Sequence, residues 1–166
     1  MSTSEPTEYA VDQRIVYPSQ GVGRIVEIRE KQFKETTVLY YTIYLEFSDM
    51  TVMVPVDKAR ELGIRPIVPM EEAERALQFI SEDLPPIPSD WKLRYQMNLD
   101  LLKKGSVMDI ASVVRSLYHR SKVKELPILE RKLYDSALNL LQDEVSFSLG
   151  KSKEESADLI RKQLEG

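Results

Sequence analysis

The sequence predicts an α+β chain of two domains: a small, strongly bent antiparallel sheet or SH3-like barrel, followed by a compact all-α bundle of about five helices. Three observations carry this prediction. Up to about residue 67, apolar and polar residues alternate in short runs separated by turn chemistry, as in half-buried strands. Beyond it, apolar residues recur at three- and four-residue spacing, as on packed helices. Within the second half, Leu84-Pro85-Pro86-Ile87-Pro88 breaks the helical pattern just ahead of Trp91, the single tryptophan of the chain. The expected domains are residues 9–68 and 69–166.

In the first half, Arg14-Ile15-Val16-Tyr17 starts the first strand, and Pro18-Ser19-Gln20-Gly21-Val22-Gly23 reads as a turn. Gly23 to Lys31 makes a second strand. Thr37 to Phe47 makes the clearest one, with Leu39, Tyr41, Ile43, Leu45 and Phe47 on one face and Thr42, Tyr44 and Glu46 on the other. Ser48-Asp49-Met50 turns the chain into Thr51–Val56, and Ile64–Ile67 supplies a last short strand. Short strands joined tightly in so few residues close on themselves or bend sharply. Such a sheet leaves strand edges where another protein can pair.

In the second half, Pro69 precedes a helix over 70–80 whose first turn is acidic. Ser89 and Asp90 can cap a helix from Trp91 to Lys104, closed by Gly105 in a left-handed conformation. Ser106 caps the next helix, reaching about His119. Pro127 opens a long helix through Leu149, and Ser152 with Glu155 forms a capping box for a final helix to Leu164. Leu126, Leu129, Leu133, Ala137, Leu140 and Leu141 form the apolar stripe of the long helix.

Several function classes fall away. No apolar run approaches the ~20 residues needed to span a bilayer, and the polar, acidic N-terminus lacks the order of a signal peptide. Cysteine is absent, so thiolate metal sites and disulfides are excluded and a cytoplasmic setting is expected. Gly21-Val22-Gly23 runs into a strand rather than a helix, and Gly150-Lys151-Ser152 has Val145 where a Walker A loop needs glycine, so neither binds nucleotide. The single histidine, His119, has no partner for a metal site or a catalytic triad. No enzyme signature, cofactor or metal is expected.

The formal net charge of −4 conceals a gradient. Residues 1–84 hold 9 Lys+Arg against 15 Asp+Glu, residues 85–135 hold 10 against 6, and residues 136–166 hold 4 against 6. The basic block therefore begins at the proline segment. Trp91 has two readings: an indole in the core where the two halves meet, or an exposed ring beside Lys92 and Arg94. If the cations Lys103, Lys104, Arg115, Arg120, Lys122, Lys124, Arg131 and Lys132 converge on an exposed ring, the combination suits a nucleic-acid backbone beside a base step. The alternative is that most are solvated.

Three stretches of the first half, Val16-Tyr17-Pro18-Ser19-Gln20-Gly21-Val22-Gly23, Val52-Met53-Val54-Pro55-Val56 and Gly63-Ile64-Arg65, resemble the N-terminal module of CarD/CdnL transcription regulators. That module is shared with the polymerase-interacting domain of transcription-repair coupling factor. Trp91-Lys92-Leu93-Arg94-Tyr95, Lys104-Gly105-Ser106, Val113-Val114-Arg115-Ser116-Leu117-Tyr118 and Glu130-Arg131-Lys132-Leu133 resemble the helical half of CarD/CdnL alone. The ordered set covers roughly residues 9 to 164.

The resemblance implies a Tudor-like domain that binds the lobe of the RNA polymerase β subunit, with Lys31, Met53 and Pro55 at the matching positions. It also implies a helical domain reaching promoter DNA at the upstream edge of the −10 element, where the tryptophan, here Trp91, wedges into the minor groove and helps hold the bubble open. The matching basic contacts are Arg94, Arg131 and Lys132, with Lys92 as a supplement. A monomer is expected. Two departures stand out: many members carry two consecutive arginines where this chain has Leu93-Arg94, and many carry arginine where Met53 stands. Leu93 favours a competing expectation, an adaptor whose barrel recruits a protein and whose bundle does not meet DNA.

Overall fold

The computed structural model describes residues 7–18 and 20–166. Residues 1–6 of the acidic N-terminus and Ser19 of the first turn lie outside the described residues, as does the side chain of Phe33. The chain divides into two compact units, one ending at Ile67 and the other beginning at Val68.

The first unit is a five-stranded antiparallel sheet: β1 (Arg14–Tyr17), β2 (Gly21–Phe33), β3 (Thr36–Leu45), β4 (Met50–Pro55) and β5 (Arg65–Pro66), in the order β4-β3-β2-β1-β5. A 3₁₀ turn at Val56–Lys58 follows β4. One face encloses the core of Ile15, Ile25, Tyr41, Ile43, Leu45, Val54, Ala59 and Ile64. Tyr9 completes it: its backbone N–H donates to the Tyr41 hydroxyl at 3.2 Å, and its own hydroxyl donates to the Ile64 carbonyl at 2.9 Å. Burial pushes the Tyr9 phenol pKa up, and neighbouring Glu8 adds to the rise. The ladder between β2 and β3 shifts register between Ile25 and Glu27, and such a bulge sharpens the bend of the sheet.

Several expected strands change their limits: the second begins at Gly21, inside the stretch expected as a turn, the fourth covers Met50–Pro55 and the last only Arg65–Pro66. The second and third run to Phe33 and from Thr36, because each added residue finds a ladder partner up to the Lys34-Glu35 loop. Lys34 adopts φ 56°, the positive value that a two-residue hairpin loop needs at its first position. At the other end β3 stops at Leu45, so Phe47 does not join the inward row predicted for it. It lies in the following turn at 64% exposure.

Two glycines explain why the turn stretches carry the residues they do. At Gly23 a Cβ would stand 2.7 Å from Cγ2 of the fully buried Ile43 and 3.2 Å from the Tyr44 carbonyl, so only a hydrogen fits between β2 and β3. Gly63 has φ 78°, and a Cβ there would meet the Pro18 ring at 3.1 Å.

The second unit has five helices: α1 (Met70–Ile80), α2 (Trp91–Lys104), α3 (Val107–Val123), α4 (Ile128–Leu149) and α5 (Lys153–Glu165). Asp90 and Ser106 cap α2 and α3 as the sequence predicts, and Gly105 closes α2 at φ 79°. The third helix runs past His119 to Val123, since no glycine or proline stops it before Pro127. The core is built from Ala76, Leu77 and Ile80 of α1, the α3 row from Val107 to Leu117, Leu133, Ala137, Leu141 and Val145 of α4, and Ile160 and Leu164 of α5. The entry of the chain is clamped by α4. Val68 N–H donates to Glu144 Oε2 at 3.0 Å, and Ser148 Oγ donates to the Val68 carbonyl at 2.7 Å. Arg115 is buried over the Phe79 ring, 3.9 Å from its centroid, and donates to the Phe79 carbonyl at the end of α1.

Gly23→Ala is expected to destabilise the first unit by about 1–3 kcal/mol through overpacking against Ile43, read from the midpoint of denaturant unfolding. In the α5 capping box, hydrogen bonds from Ser152 hold the Glu155 carboxyl pKa below its ordinary value. Its folded pKa being the lower one, this cap contributes fully above the ordinary carboxylate range and is lost as pH falls through the depressed value. Glu155→Ala should therefore flatten the acid limb of α5 unfolding, measurable as amide-exchange protection against pH.

Candidate functional surfaces

Cross-strand pairing determines which side chains of the sheet share a face. Met53 pairs with Thr42, which pairs with Glu27; Pro55 pairs with Tyr40, which pairs with Arg29; Lys31 pairs with Val38. Residues two apart along a strand point the same way. Lys31, Met53 and Pro55 therefore lie on one outward face, opposite the core, with Tyr40 and Val38 of β3 between them. Met53 is 42% exposed and Lys31 is exposed, while Tyr40 and Pro55 are half-buried. Met53 and Pro55 also lie on β4, an end strand of the sheet order. Nothing in the periodicity alone singles out Tyr40; its central place follows from the register.

In the helical unit, Asp90 accepts a hydrogen bond from the Lys92 amide at 3.1 Å and so fixes Trp91 as the first helical residue. Trp91 starts the inward stripe of α2, which continues one turn on with Arg94 and Tyr95 and then Asn98 and Leu102. The indole is half-buried, and among the described residues it is not one of those that form or pack on the core. Lys92 is exposed beside it. On the outward side of the same helix, Leu93 is 52% and Met97 48% exposed.

Arg94 departs from the expectation that it meets a phosphate. Its side chain is 3% exposed and forms a fork with Glu130, itself fully buried. Nε donates to Glu130 Oε2 at 2.7 Å and Nη2 to Oε1 at 2.6 Å, while Nη1 donates to the carbonyls of Pro88 at 3.0 Å and Ser89 at 3.3 Å. A guanidinium whose donors are turned to an internal carboxylate and two backbone carbonyls is withdrawn from an external anion. The reason lies in helix periodicity: Arg94, Asn98 and Leu102 are four apart and all face inward, whereas Leu93 faces out.

Glu130 is the residue that the sequence reading passed over. It holds the inward place that the stripe assigned to Leu129, which is 48% exposed instead, four residues after the buried Leu126 and three before Leu133 of α4, and a carboxylate at such a place demands a buried cation. That signal was present in the spacing. Its sequence neighbours Arg131 and Lys132 are both exposed on the first turns of α4. The fork thus ties the turn carrying Trp91 and Lys92 to the turn carrying Arg131 and Lys132. Of the other cations, Arg115 is buried in the α1–α3 packing, and Lys122 lies 5.0 Å over the Tyr118 ring. Among the described residues no cluster of three His, Cys, Asp or Glu could hold a metal ion, and no helix is long and apolar enough to cross a membrane.

Compared with known proteins, residues 9–68 match the family model of the CarD-like/TRCF RID domain, and residues 75–161 match that of the CarD C-terminal domain. The chain is also similar to YdeB of Bacillus subtilis (strain 168), a protein that carries a transcription-factor name. The two are 34% identical over 142 residues, covering 86% of this chain and 93% of that one.

Trp91 of α2 and Glu130 of α4 should separate in stability. Glu130→Ala leaves a guanidinium buried without its carboxylate and is expected to cost about 3–5 kcal/mol. Trp91→Ala removes a ring outside the core and should cost about 1 kcal/mol. Urea unfolding followed by circular dichroism measures both; equal costs would put the indole in the core after all.

Proposed function

Since the chain belongs to the CarD family of transcription factors, we propose that it acts during transcription initiation, binding the lobe of the RNA polymerase β subunit and stabilising the promoter open complex. In this reading the outward face of the sheet around Lys31, Met53 and Pro55 meets polymerase. Trp91 enters the minor groove at the upstream edge of the −10 element, and Lys92, Arg131 and Lys132 contact phosphates. The protein works as a monomer in the cytoplasm, with no chemistry of its own.

The observation that carries the reading is the setting of Trp91: a large flat ring outside the core, in a capped first turn, tied by a buried fork to a second turn that bears two exposed cations. Unstacking a base step costs a few kcal/mol, and an apolar wedge with phosphate contacts offsets that cost. Three exposed cations are few for a free-standing DNA binder. A polymerase-bound sheet compensates, because tethering raises the effective concentration of the helical unit at the promoter. The acidic first half, unfavourable near DNA, is no obstacle to a protein partner.

A second reading rests on the exposed pair Leu93 and Met97, one turn apart beside Trp91. An apolar strip of that kind suits a protein, and in that case the helical unit serves an adaptor without touching DNA.

Open-complex lifetime on purified polymerase, with and without the protein, separates the two. The wedge reading expects Trp91→Ala to shorten the lifetime while polymerase binding persists, and Arg131→Ala/Lys132→Ala to reduce the slope of log affinity against log salt by about 2. Lys31→Glu should weaken polymerase binding by about 1–3 kcal/mol with native circular dichroism. Under the adaptor reading, Trp91→Ala leaves the lifetime unchanged and the salt slope does not move.

A further inference from the structure

We propose that the buried Arg94–Glu130 fork is a positioning device for Trp91: it aims the indole, and Arg94 and Glu130 are needed at the promoter although neither touches DNA. The inference rests on the wedge reading and assigns Glu130 and Arg94 roles within it.

Trp91 opens the first turn of α2. The ring is half-buried and outside the core, so core packing does not fix its direction. Upstream, the Pro85–Pro88 segment supplies few amide donors, so regular hydrogen bonding cannot fix it there either. Beyond the packing of α2 on the core through Tyr95, Leu99 and Leu102, its first turn is held by the cap at Asp90 and the four donations of Arg94. Those donations are divided in an informative way. Two go forward in the chain to the first turn of α4, and two go back to Pro88 and Ser89, the residues that deliver the chain to Trp91. The guanidinium is planar and its donors are fixed in one fork, so satisfying all four fixes both segments against each other. Trp91 lies between the acceptors at 88 and 89 and the donor at 94, and its backbone is held from both sides.

Energetics favours aim over adhesion. A buried ion pair spends most of its attraction on desolvation, and well-packed apolar residues in its place are often as stable or more so. The directional fork is therefore worth little to stability and much to geometry. An apolar pair such as Met and Leu would fill the space with no preferred angle, leaving the first turn of α2 free to swing.

The test uses full-length Arg94→Met/Glu130→Leu, with Arg94→Lys as a second variant that keeps the charge and loses the fork. Because Trp91 is the single tryptophan, its fluorescence anisotropy and quenching report its mobility without any activity. For the double variant, a native circular dichroism spectrum, unchanged or raised thermal midpoint and full polymerase binding are expected. Its tryptophan anisotropy should fall, and its open-complex lifetime should drop to that of Trp91→Ala. If the double variant does not fold, Arg94→Lys carries the same two readouts, with an intermediate loss expected. A folded variant that keeps wild-type anisotropy and wild-type lifetime overturns the inference, as does a lifetime loss without any change at the indole. If Trp91→Ala itself leaves the lifetime unchanged, the wedge reading has failed, while the anisotropy change still reports whether the fork aims the ring.

Discussion

The helical unit depends on a charge pair that water never sees. Glu130 is fully buried and Arg94 nearly so, and each would be untenable alone: an unpaired ion in the interior costs several kcal/mol. Their mutual need brings the first turn of α2 to the first turn of α4 and pulls the end of the proline segment into the same contact. The half-buried Trp91 and the exposed Lys92 on one side, and the exposed Arg131 and Lys132 on the other, sit on the turns that the pair joins. The rest of the bundle is held conventionally, by the apolar rows of α1, α3, α4 and α5 and by Leu102 of α2.

The sheet is organised by steric constraint rather than charge. Gly23 lets β2 approach Ile43, and Gly63 takes a positive φ where Pro18 lies against it. The second contact sets the turn after β1 against the turn before β5, beside the hydrogen bond from Tyr9 to the Ile64 carbonyl. The bulge after Ile25 bends the sheet over its core. In the proposed role polymerase meets the outer face, where Tyr40 and Val38 lie among Lys31, Met53 and Pro55.

The substitution of arginine by Leu93 takes on a definite meaning in this geometry. Position 94 faces inward, where its arginine makes the fork, while Leu93 faces solvent. The chain retains the structural arginine and carries an apolar residue where a second cation would reach out. In the proposed role, its DNA contact then leans on Trp91, Lys92, Arg131 and Lys132, and on attachment through the sheet.

The sequence by itself determined the change from strands to helices near residue 68, the break in the helical pattern at the proline segment, the five helices with their caps, and the strands with their approximate limits. Each of these is a local property: a helix start is decided by the side chain at its cap, and a strand by the alternation of its own residues. It also pointed to Trp91 as the first residue of α2. Tertiary structure alone decided the ends of β2 and β3, because a strand continues as long as it finds ladder partners. It alone turned Arg94 inward to Glu130, since one charge in an apolar stripe reveals that a partner is needed and not where in the chain it lies. It alone gathered Lys31, Met53 and Pro55 on one face, because register between strands is set by pairing across the sheet and not by any residue's immediate neighbours.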